Sequence, residues 1–310
     1  MRNTLLLIDA HAIIHRAFHA LPDTLKTKDG TSTNAIYGFF LMILKVINDF
    51  NPNHIAVCFD TPKPTFRKKL YTQYQAKRPP MDNLLKAQIP IIKDLLDKGG
   101  ITRVEREGFE ADDVIGSIAK NLHNNFDQIY ILTGDRDLLQ LTDTKTSLIA
   151  PKKGVSDFYF FTPESVREKF GIQPSQIPDY KSLAGDSSDN YNTAKGIGPK
   201  TAQKLLQTYK TVENLLEKVD TVENPKWKEI LITHKDNVLL FKKIATIVCD
   251  LDVSPPISSL AYAKFRDDIK PDLMRLELNS LVQKIFTARG NTNKVIQQKT
   301  ANDNDQISLF

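Results

Sequence analysis

Residues 4–10 read TLLLIDA, a short apolar run that ends in an aspartate. Five apolar runs of similar length are predicted to be β-strands: Leu5–Ile8, Ile55–Phe59, Ile101–Val104, Ile129–Leu132 and Ser147–Ala150. Helical patterns separate these runs, as in residues 33–49 and 111–122, where apolar residues recur every three or four positions. This alternation predicts an α/β fold in which helices flank both faces of a central, mostly parallel sheet.

The composition favours a compact protein in water. The chain has 310 residues, of which 41% are hydrophobic and 25% charged, and these values exclude a disordered or low-complexity polypeptide. Its apolar runs are much shorter than the roughly 20 residues of a membrane helix, and no signal-peptide pattern opens the chain. Cys58 and Cys249 are too few for a disulfide framework or a zinc site. We expect a cytoplasmic protein without membrane contact.

Three regions are expected along the chain. Residues 1–160 are predicted to form an α/β core, residues 161–289 a smaller helical lobe, and residues 290–310 a flexible polar tail. The core includes a basic segment, residues 63–106, with eleven Lys and Arg but four Asp and Glu. This local excess of positive charge favours an anionic partner over an ordinary solvated surface. The net charge of +5 is too small to indicate a partner by itself.

Carboxylates follow several of the predicted strands. Asp9 follows the first strand, Asp60 follows the second, and Asp135 with Asp137 comes just after the fourth. Ligands of open α/β sheets bind beyond the carboxyl ends of the strands, so we expect these acids to surround one site. Glu110, Asp112 and Asp113 begin a predicted helix, and Asp186 and Asp189 lie in a loop; these five complete a set of nine.

Nine ionised carboxylates in one place would repel one another unless cations neutralised them. Any one of these acids alone is explained equally well as a helix-start or turn residue. Together they predict two or more Mg²⁺ or Mn²⁺ ions, because hard divalent cations prefer oxygen ligands and serve phosphate chemistry.

Five motifs carry a resemblance to a known family: TFRKKLYTQY (65–74), GFEADDVIG (108–116), TGDRDLLQL (133–141), AGDSSDN (184–190) and GIGPKTA (196–202). They closely resemble the 5′-to-3′ exonuclease domain of bacterial DNA polymerase I, in the flap endonuclease superfamily. The likeness runs from about Leu5 to Leu281. It implies a structure-specific nuclease that hydrolyses DNA at 5′ flaps, nicks and gaps, and RNA primers, in replication and repair. Because polymerase and proofreading modules are absent, we expect a stand-alone, monomeric, nucleoid-associated bacterial form.

The same resemblance assigns roles to individual residues. It implies that all nine acids hold metal ions, with Asp186 and Asp189 at the second ion, and that Arg16 lies near the scissile phosphate. The basic segment resembles a helical arch for the 5′ single strand. The GIGPK turn resembles a helix-two-turn-helix element that grips duplex phosphates and holds K⁺. The implied DNA contacts are Arg67, Tyr71, Tyr74, Gln75, Lys195, Gly196, Gly198, Lys200 and Thr201.

The chain departs from the family pattern at three places. Gln75 stands where relatives usually have a lysine that neutralises the reacting phosphate, which leaves Lys77 and Arg78 as the catalytic cations of this segment. If the segment is helical, Lys77 lies about 200° around the helix from residue 75. Residues 191–194 read Tyr-Asn-Thr-Ala where relatives typically have Ile-Pro-Gly-Val. Ala10 replaces a usual glycine.

Two further patterns invite a functional interpretation. His11, His15 and His19 share one predicted helix face, but without a zincin-like glutamate they are interpreted as a polar stripe rather than a transition-metal site. The chain end, QISLF (306–310), resembles the peptide by which bacterial replication proteins bind the sliding clamp, with Gln306, Leu309 and Phe310 as its contacts.

Two other functions remain open from the sequence. A non-catalytic flap-binding module tethered to the clamp is suggested by Gln75, although retention of all nine acids opposes it. A PIN-like ribonuclease would share the acids after the strands but would not need GIGPK or the helical lobe.

Overall fold

The computed structural model describes residues 2–191 and 196–287. Its six strands are β1 (Thr4–Asp9), β2 (His54–Phe59), β3 (Thr102–Glu105), β4 (Gln128–Leu132), β5 (Thr146–Lys153) and β6 (Asp157–Phe161). They form one sheet in the order β3-β2-β1-β4-β5-β6, in which only the β5–β6 pair is antiparallel. The predicted mostly parallel sheet is therefore confirmed. Strand β6 was missed because its sequence, DFYFF, has four consecutive aromatic residues and no period-two alternation.

Helices surround the sheet. Within the described residues they are α1 (Ala10–Ala20), α2 (Asn34–Phe50), α3 (Phe66–Leu70), α4 (Asn83–Lys98), α5 (Ala111–Asn121), α6 (Pro163–Phe170), α7 (Ile177–Ala184), α8 (Pro199–Tyr209), α9 (Val212–Glu217), α10 (Pro225–Thr233), α11 (Lys235–Ala245), α12 (Ile257–Leu260), α13 (Lys270–Arg275) and α14 (Asn279–Phe286). No helix in the described part of the chain is long and apolar enough to cross a membrane.

Alternation along β1 creates two hydrophobic cores. Leu5 and Leu7 contribute to the core shared with α5 and with the helices from α6 to α11. Leu6 and Ile8 contribute to the opposite core, which contains α1, α2 and α4. Helices α13 and α14 also pack into this second core, so the chain returns after α12 to the layer of α1 and α2. The regional boundaries near residues 160 and 289 stay predictions.

The basic segment is only partly available for a helical arch. Its second half is α4 and β3, and α4 buries Leu85, Ile92 and Leu95 against the core. Between α3 and α4, residues 72–77 form turns, so the expectation of a helix around Gln75 is wrong. Acids of the same segment neutralise two of its bases, since Lys93 contacts Glu105 and Arg103 contacts Asp97.

Candidate active site

The sheet topology brings the first group of acids together. Strands β2, β1 and β4 are adjacent, and Asp9, Asp60 and Asp135 lie at or just beyond their carboxyl ends. Helix α5 begins beside them, since the backbone N–H of Ala111 donates to Asp60 Oδ1 at 2.7 Å. The neighbouring Asp112 is electrostatically coupled to Asp135 and Asp9. The structure therefore brings Asp9, Asp60 and Asp135 near Asp112 at the start of α5.

Asp9 is positioned by two donors. As the residue preceding α1 it accepts from the backbone N–H of Ala12 at 3.2 Å, and Oδ2 accepts from the Thr133 hydroxyl at 2.7 Å. The side chain is nearly inaccessible to solvent, with a relative exposure of 4%. Burial, reinforced by the negative charge of Asp60, raises the pKa of Asp9 to about 7. The Thr133 hydroxyl was not predicted, and its place two residues before Asp135 in TGDRD is the signal that would have found it.

The centre of this group lacks a protein cation. Within residues 2–191 and 196–287, none of Asp9, Asp112 and Asp135 forms a salt bridge with a lysine or arginine. Burial, followed by the charges of Asp135 and Asp9, raises the pKa of Asp112 well above its ordinary range. Such acids need either protons or added cations, and their oxygen atoms suit Mg²⁺ or Mn²⁺.

Asp113 belongs to a different structure, a buried ion pair. The Arg67 guanidinium contacts both carboxylate oxygens of Asp113, at 2.6 and 2.8 Å. The backbone N–H groups of Val248 and Glu110 also donate to Asp113, at 2.9 and 3.1 Å. Asp113 is fully buried and Arg67 is 3% exposed. Asp113 and Arg67 thus satisfy each other in the protein interior, and their expected roles, Asp113 in metal binding and Arg67 in DNA binding, stay predictions.

Glu110 stands between the acids and this ion pair. Its Oε2 lies 3.2 Å from Arg67 Nη1 and accepts from the Tyr74 hydroxyl at 3.3 Å. Burial nevertheless raises the pKa of Glu110 to about 7. Tyr74 is 5% exposed, and its expected contact with DNA stays a prediction. Tyr71 is half-buried, with its ring edge-on to Phe241 at 5.2 Å between centroids.

A second group of acids forms the tightest candidate metal site. One carboxylate oxygen from each of Asp137, Asp186 and Asp189 lies within 4.8 Å of the other two, a spacing that no other described trio of potential ligands meets. The buried ammonium of Lys181 contacts both Asp137 and Asp186. Although burial opposes it, contact with Lys181 and Ser188 lowers the pKa of Asp186.

Lys181 was missed by the sequence analysis. It lies on α7, five residues before Asp186, and is 3% exposed. A lysine on the apolar side of a short helix just before GDSSDN is the signal that would have found it.

Hydrogen bonds join residues 71–78 to the loop that carries Asp189. Gln75 donates from Nε2 to Asp189 Oδ1 at 3.2 Å and from its backbone N–H to the Asp189 carbonyl at 3.0 Å. Arg78 Nη2 lies 2.8 Å from the same Oδ1. Gln75 has a φ of 54°, a left-handed conformation unusual outside glycine and asparagine. Arg78 and Gln75 thus face the acids, whereas Lys77 is exposed.

The remaining predicted residues are distributed around this centre. Arg16 on α1 donates from Nη2 to the Lys152 carbonyl at 3.0 Å. His15 and His19 lie 3.2 Å apart at Nε2, but His11 contacts Asp60 instead, so the three histidines do not converge. Gly196 has a φ of 117°, and Gly198, Lys200 and Thr201 lie at the start of α8.

Several predicted residues cannot be placed. Lys195 and the Asn-Thr-Ala sequence of residues 192–194 lie outside the described residues, as does the predicted clamp peptide with Gln306, Leu309 and Phe310.

The buried acids make the stability of the metal-free protein depend on pH. Asp9 and Glu110 have pKa values of about 7 in the folded chain, above their ordinary values of 3.8 and 4.5. Because the folded state binds these protons more tightly, their contribution is present below pH 4 and is lost as pH rises through 7. We expect the melting temperature in EDTA to fall by several degrees between pH 5 and pH 8, as measured by calorimetry. Mg²⁺ at pH 8 should reverse the fall; an equal or higher melting temperature at pH 8 in EDTA would contradict it.

Comparison with known proteins identifies the family. The model of the 5′-3′ exonuclease N-terminal resolvase-like domain matches residues 4–171, and that of the 5′-3′ exonuclease C-terminal SAM fold matches residues 172–268. DNA polymerase I of Bacillus subtilis is 41% identical over 285 residues, which are 92% of this chain and 32% of the relative. DNA polymerase I of Caldicellulosiruptor bescii is 40% identical over 301 residues, 96% of this chain and 35% of the relative. The chain thus spans about a third of the length of these relatives.

Solved structures agree on the fold. A phage T5 5′-exonuclease with bound zinc has a TM-score of 0.66 at 17% identity and covers 88% of this chain and 99% of its own. The catalytic core of Rad2 in complex with DNA substrate has a TM-score of 0.55 at 20% identity, with coverage of 92% and 88%. At such identities the likeness establishes the fold alone. Together with the two family models, which account for most of the chain, it confirms the resemblance seen in the sequence motifs: the chain belongs to the 5′-3′ exonuclease family.

Proposed function

We propose that this chain hydrolyses phosphodiester bonds of DNA at 5′ flaps, nicks and gaps, and of RNA primers paired to DNA, in a reaction that depends on Mg²⁺ or Mn²⁺. The observation that carries the proposal is the group formed by the buried Asp9 and the half-buried Asp112 and Asp135, which has no lysine or arginine partner among the described residues. Burial and the neighbouring negative charges raise the pKa values of Asp9 and Asp112, and added cations would relieve that repulsion. Replication and repair in the bacterial cytoplasm are the setting that we infer for this activity.

The residues fit two ions. Asp9, Asp60, Glu110, Asp112 and Asp135 would hold the first, and the trio of Asp137, Asp186 and Asp189 would hold the second. Such ions, when bound, acidify a water molecule and neutralise the reacting phosphate. Lys181 already supplies one positive charge to the trio, so the second ion enters a partly neutralised group.

Protein cations bind and orient the phosphate. Arg78 is half-exposed, and its guanidinium lies at the rim of the acids on Asp189, where it can pair with an incoming phosphodiester. The Nε–H of Arg16 is buried and has no hydrogen-bond acceptor within the described residues. We assign the phosphate contact of the site to these two arginines. Lys77 would contact the DNA strand further along its length.

The start of α8 supplies a duplex contact. Backbone N–H groups after Gly198 and the exposed Lys200 favour a phosphate at this helix N-terminus, and Thr201 adds a hydroxyl beside them. K⁺ at this turn remains part of the proposal. Contacts of this kind are made to the phosphates of the DNA backbone. We therefore expect an affinity for DNA that falls steeply as the salt concentration rises and that depends on DNA shape rather than on base sequence.

Recruitment by the sliding clamp is proposed from the sequence of residues 306–310 alone. Binding of this peptide to the clamp would raise the local concentration of the nuclease at replicated DNA. Pull-down on immobilised clamp, with and without these five residues, tests this recruitment. Equal recovery of both proteins would contradict it.

Cleavage of a 5′-labelled flap duplex in Mg²⁺, Mn²⁺ or EDTA tests the nuclease activity. Metal-dependent cutting near the flap junction is expected, with none in EDTA. Flap binding without cutting in either metal would make the chain a non-catalytic binding module. Preference for RNA hairpins over DNA flaps would instead favour a ribonuclease.

Replacement of Gln75 by lysine is expected to raise the cleavage rate. The Gln75 amide lies 3.2 Å from Asp189, so a lysine in its place would add a positive charge at the edge of the second metal site. We expect about a tenfold faster single-turnover rate, equivalent to about 1.4 kcal/mol of barrier. Gln73→Lys, an exposed position in the same segment, is the matched control and should cleave at the wild-type rate. A Gln75→Lys rate equal to that of the control would contradict the prediction.

A further inference from the structure

Tyr191 is held rigidly against the second group of acids. Its backbone pairs with that of Asp186 in an antiparallel bridge, with N–H to carbonyl distances of 2.8 and 2.9 Å. Its ring stacks on Phe241 with centroids 4.6 Å apart and planes 11° from parallel. The side chain is 1% exposed. Backbone pairing and stacking together leave the ring one orientation.

The hydroxyl of this ring has no hydrogen-bond partner among residues 2–191 and 196–287. A buried hydroxyl in that situation is unfavourable, and an apolar side chain of similar shape would avoid the penalty. Stacking on Phe241 does not explain the tyrosine, because phenylalanine would stack equally well.

The hydroxyl lies in the electrostatic field of the metal-site trio. Burial raises the pKa of Tyr191 well above its ordinary value, with Lys181 acting in the opposite direction and Asp137, Asp186 and Asp189 adding to the rise. Although burial opposes the rise, Asp137, followed by Tyr191, in turn raises the pKa of Lys181. The unpartnered hydroxyl therefore belongs to a residue that is bridged to Asp186 through its backbone and lies near the charges of Lys181 and the trio.

We propose that the Tyr191 hydroxyl oxygen accepts a hydrogen bond from a water molecule in the hydration shell of the cation held by Asp137, Asp186 and Asp189, and so positions that cation. Mg²⁺ and Mn²⁺ bound through a few carboxylates keep several waters, and these waters donate hydrogen bonds to the groups around them. The inference rests on the proposed function in that the trio holds a divalent cation.

Binding of Mn²⁺ alone to the full chain, without DNA, tests the proposal. Electron paramagnetic resonance titration counts free Mn²⁺ and gives the affinity of each bound ion. Tyr191→Phe keeps the stack on Phe241 and removes only the hydroxyl, and we expect one of the bound ions to weaken about tenfold. Tyr209→Phe is the control, because it removes an exposed hydroxyl that already has a partner, Thr221 at 2.9 Å. It should bind Mn²⁺ as the wild type does.

Melting temperatures give a second readout that a purely structural tyrosine would not move in the same way. In EDTA, Tyr191→Phe should be as stable as the wild type or more stable, since an unpaired buried hydroxyl has been removed. In saturating Mn²⁺ its gain in melting temperature should be smaller than that of the wild type. A variant destabilised in EDTA, or one with unchanged Mn²⁺ affinity, would overturn the proposal.

The result is separable from the test of nuclease activity. Weaker Mn²⁺ binding by Tyr191→Phe, in a wild-type chain that binds Mn²⁺ but cuts no flap, would support the role of Tyr191 and refute the proposed function. If the wild type cleaves flaps and Tyr191→Phe binds Mn²⁺ as tightly as the wild type, the proposed function is supported and the role of Tyr191 is refuted. A wild-type chain that binds no Mn²⁺ would refute both.

Discussion

Replacement of Asp112 by asparagine is expected to lower flap cleavage by about a thousandfold while leaving the protein folded. Asp112 lies at the start of α5 among acids from three strands, and its pKa is raised by burial, by Asp135 and by Asp9. The amide keeps the shape of the side chain but removes the negative charge and one metal-binding oxygen. Single-turnover cleavage of a labelled flap in saturating Mg²⁺ measures the loss.

Stability separates the chemical effect from misfolding. Because Asp112→Asn relieves repulsion among buried carboxylates, its melting temperature in EDTA should equal or exceed that of the wild type. Asp94→Asn makes the same chemical change on the exposed surface of α4, where Asp94 pairs with Lys98, and should cleave normally. Cleavage by Asp112→Asn within tenfold of wild type would show that this acid is not a metal ligand.

Replacement of Arg67 by methionine is expected to destabilise the fold by about 3–5 kcal/mol, because it leaves Asp113 buried without its partner. Arg67 makes two contacts with Asp113 and donates from Nε to the Ile244 carbonyl at 2.8 Å. It thereby joins α3 to α5 and to the end of α11. Urea unfolding at pH 7 measures the change.

Two comparisons establish the origin of this loss. Lys63→Met removes an exposed ion pair with Glu107, whose side chains are 63% and 65% exposed, and should cost less than about 1 kcal/mol. The double variant Arg67→Met/Asp113→Leu removes both buried charges and should recover part of the stability. A loss below about 1 kcal/mol for Arg67→Met would mean that Asp113 finds another partner.

The strand-end acids were predictable because their placement follows from topology alone. An aspartate that ends an apolar run lies at the carboxyl end of a strand, and parallel neighbours present those ends at one edge. Asp9, Asp60 and Asp135 therefore came together in the structure as the residue pattern indicated. The helix-start acids required one further step, the docking of α5 beside β2, which Asp60 makes through the Ala111 N–H.

Residue type did not predict how neighbours divide their roles. Asp112 and Asp113 are adjacent, but successive residues of a helix point about 100° apart. Asp112 therefore faces the other acids and Asp113 faces Arg67. In the same way, Tyr74 was interpreted as a DNA contact because cations surround it in sequence, whereas the turns at residues 72–77 bury its ring and direct its hydroxyl to Glu110.

The sequence by itself determined the parallel sheet, the family and the set of acids that follow its strands, since these depend on periodicity and on local motifs. Only the tertiary structure decided which charges neutralise each other: Arg67 pairs with Asp113, and Lys181 pairs with Asp137 and Asp186. It also left the Tyr191 hydroxyl without a partner among the described residues. These pairings join residues from different elements, up to 46 positions apart for Arg67 and Asp113. Their physical reason is burial, because an ion pair formed away from water is set by which side chains the packing of the whole chain brings together.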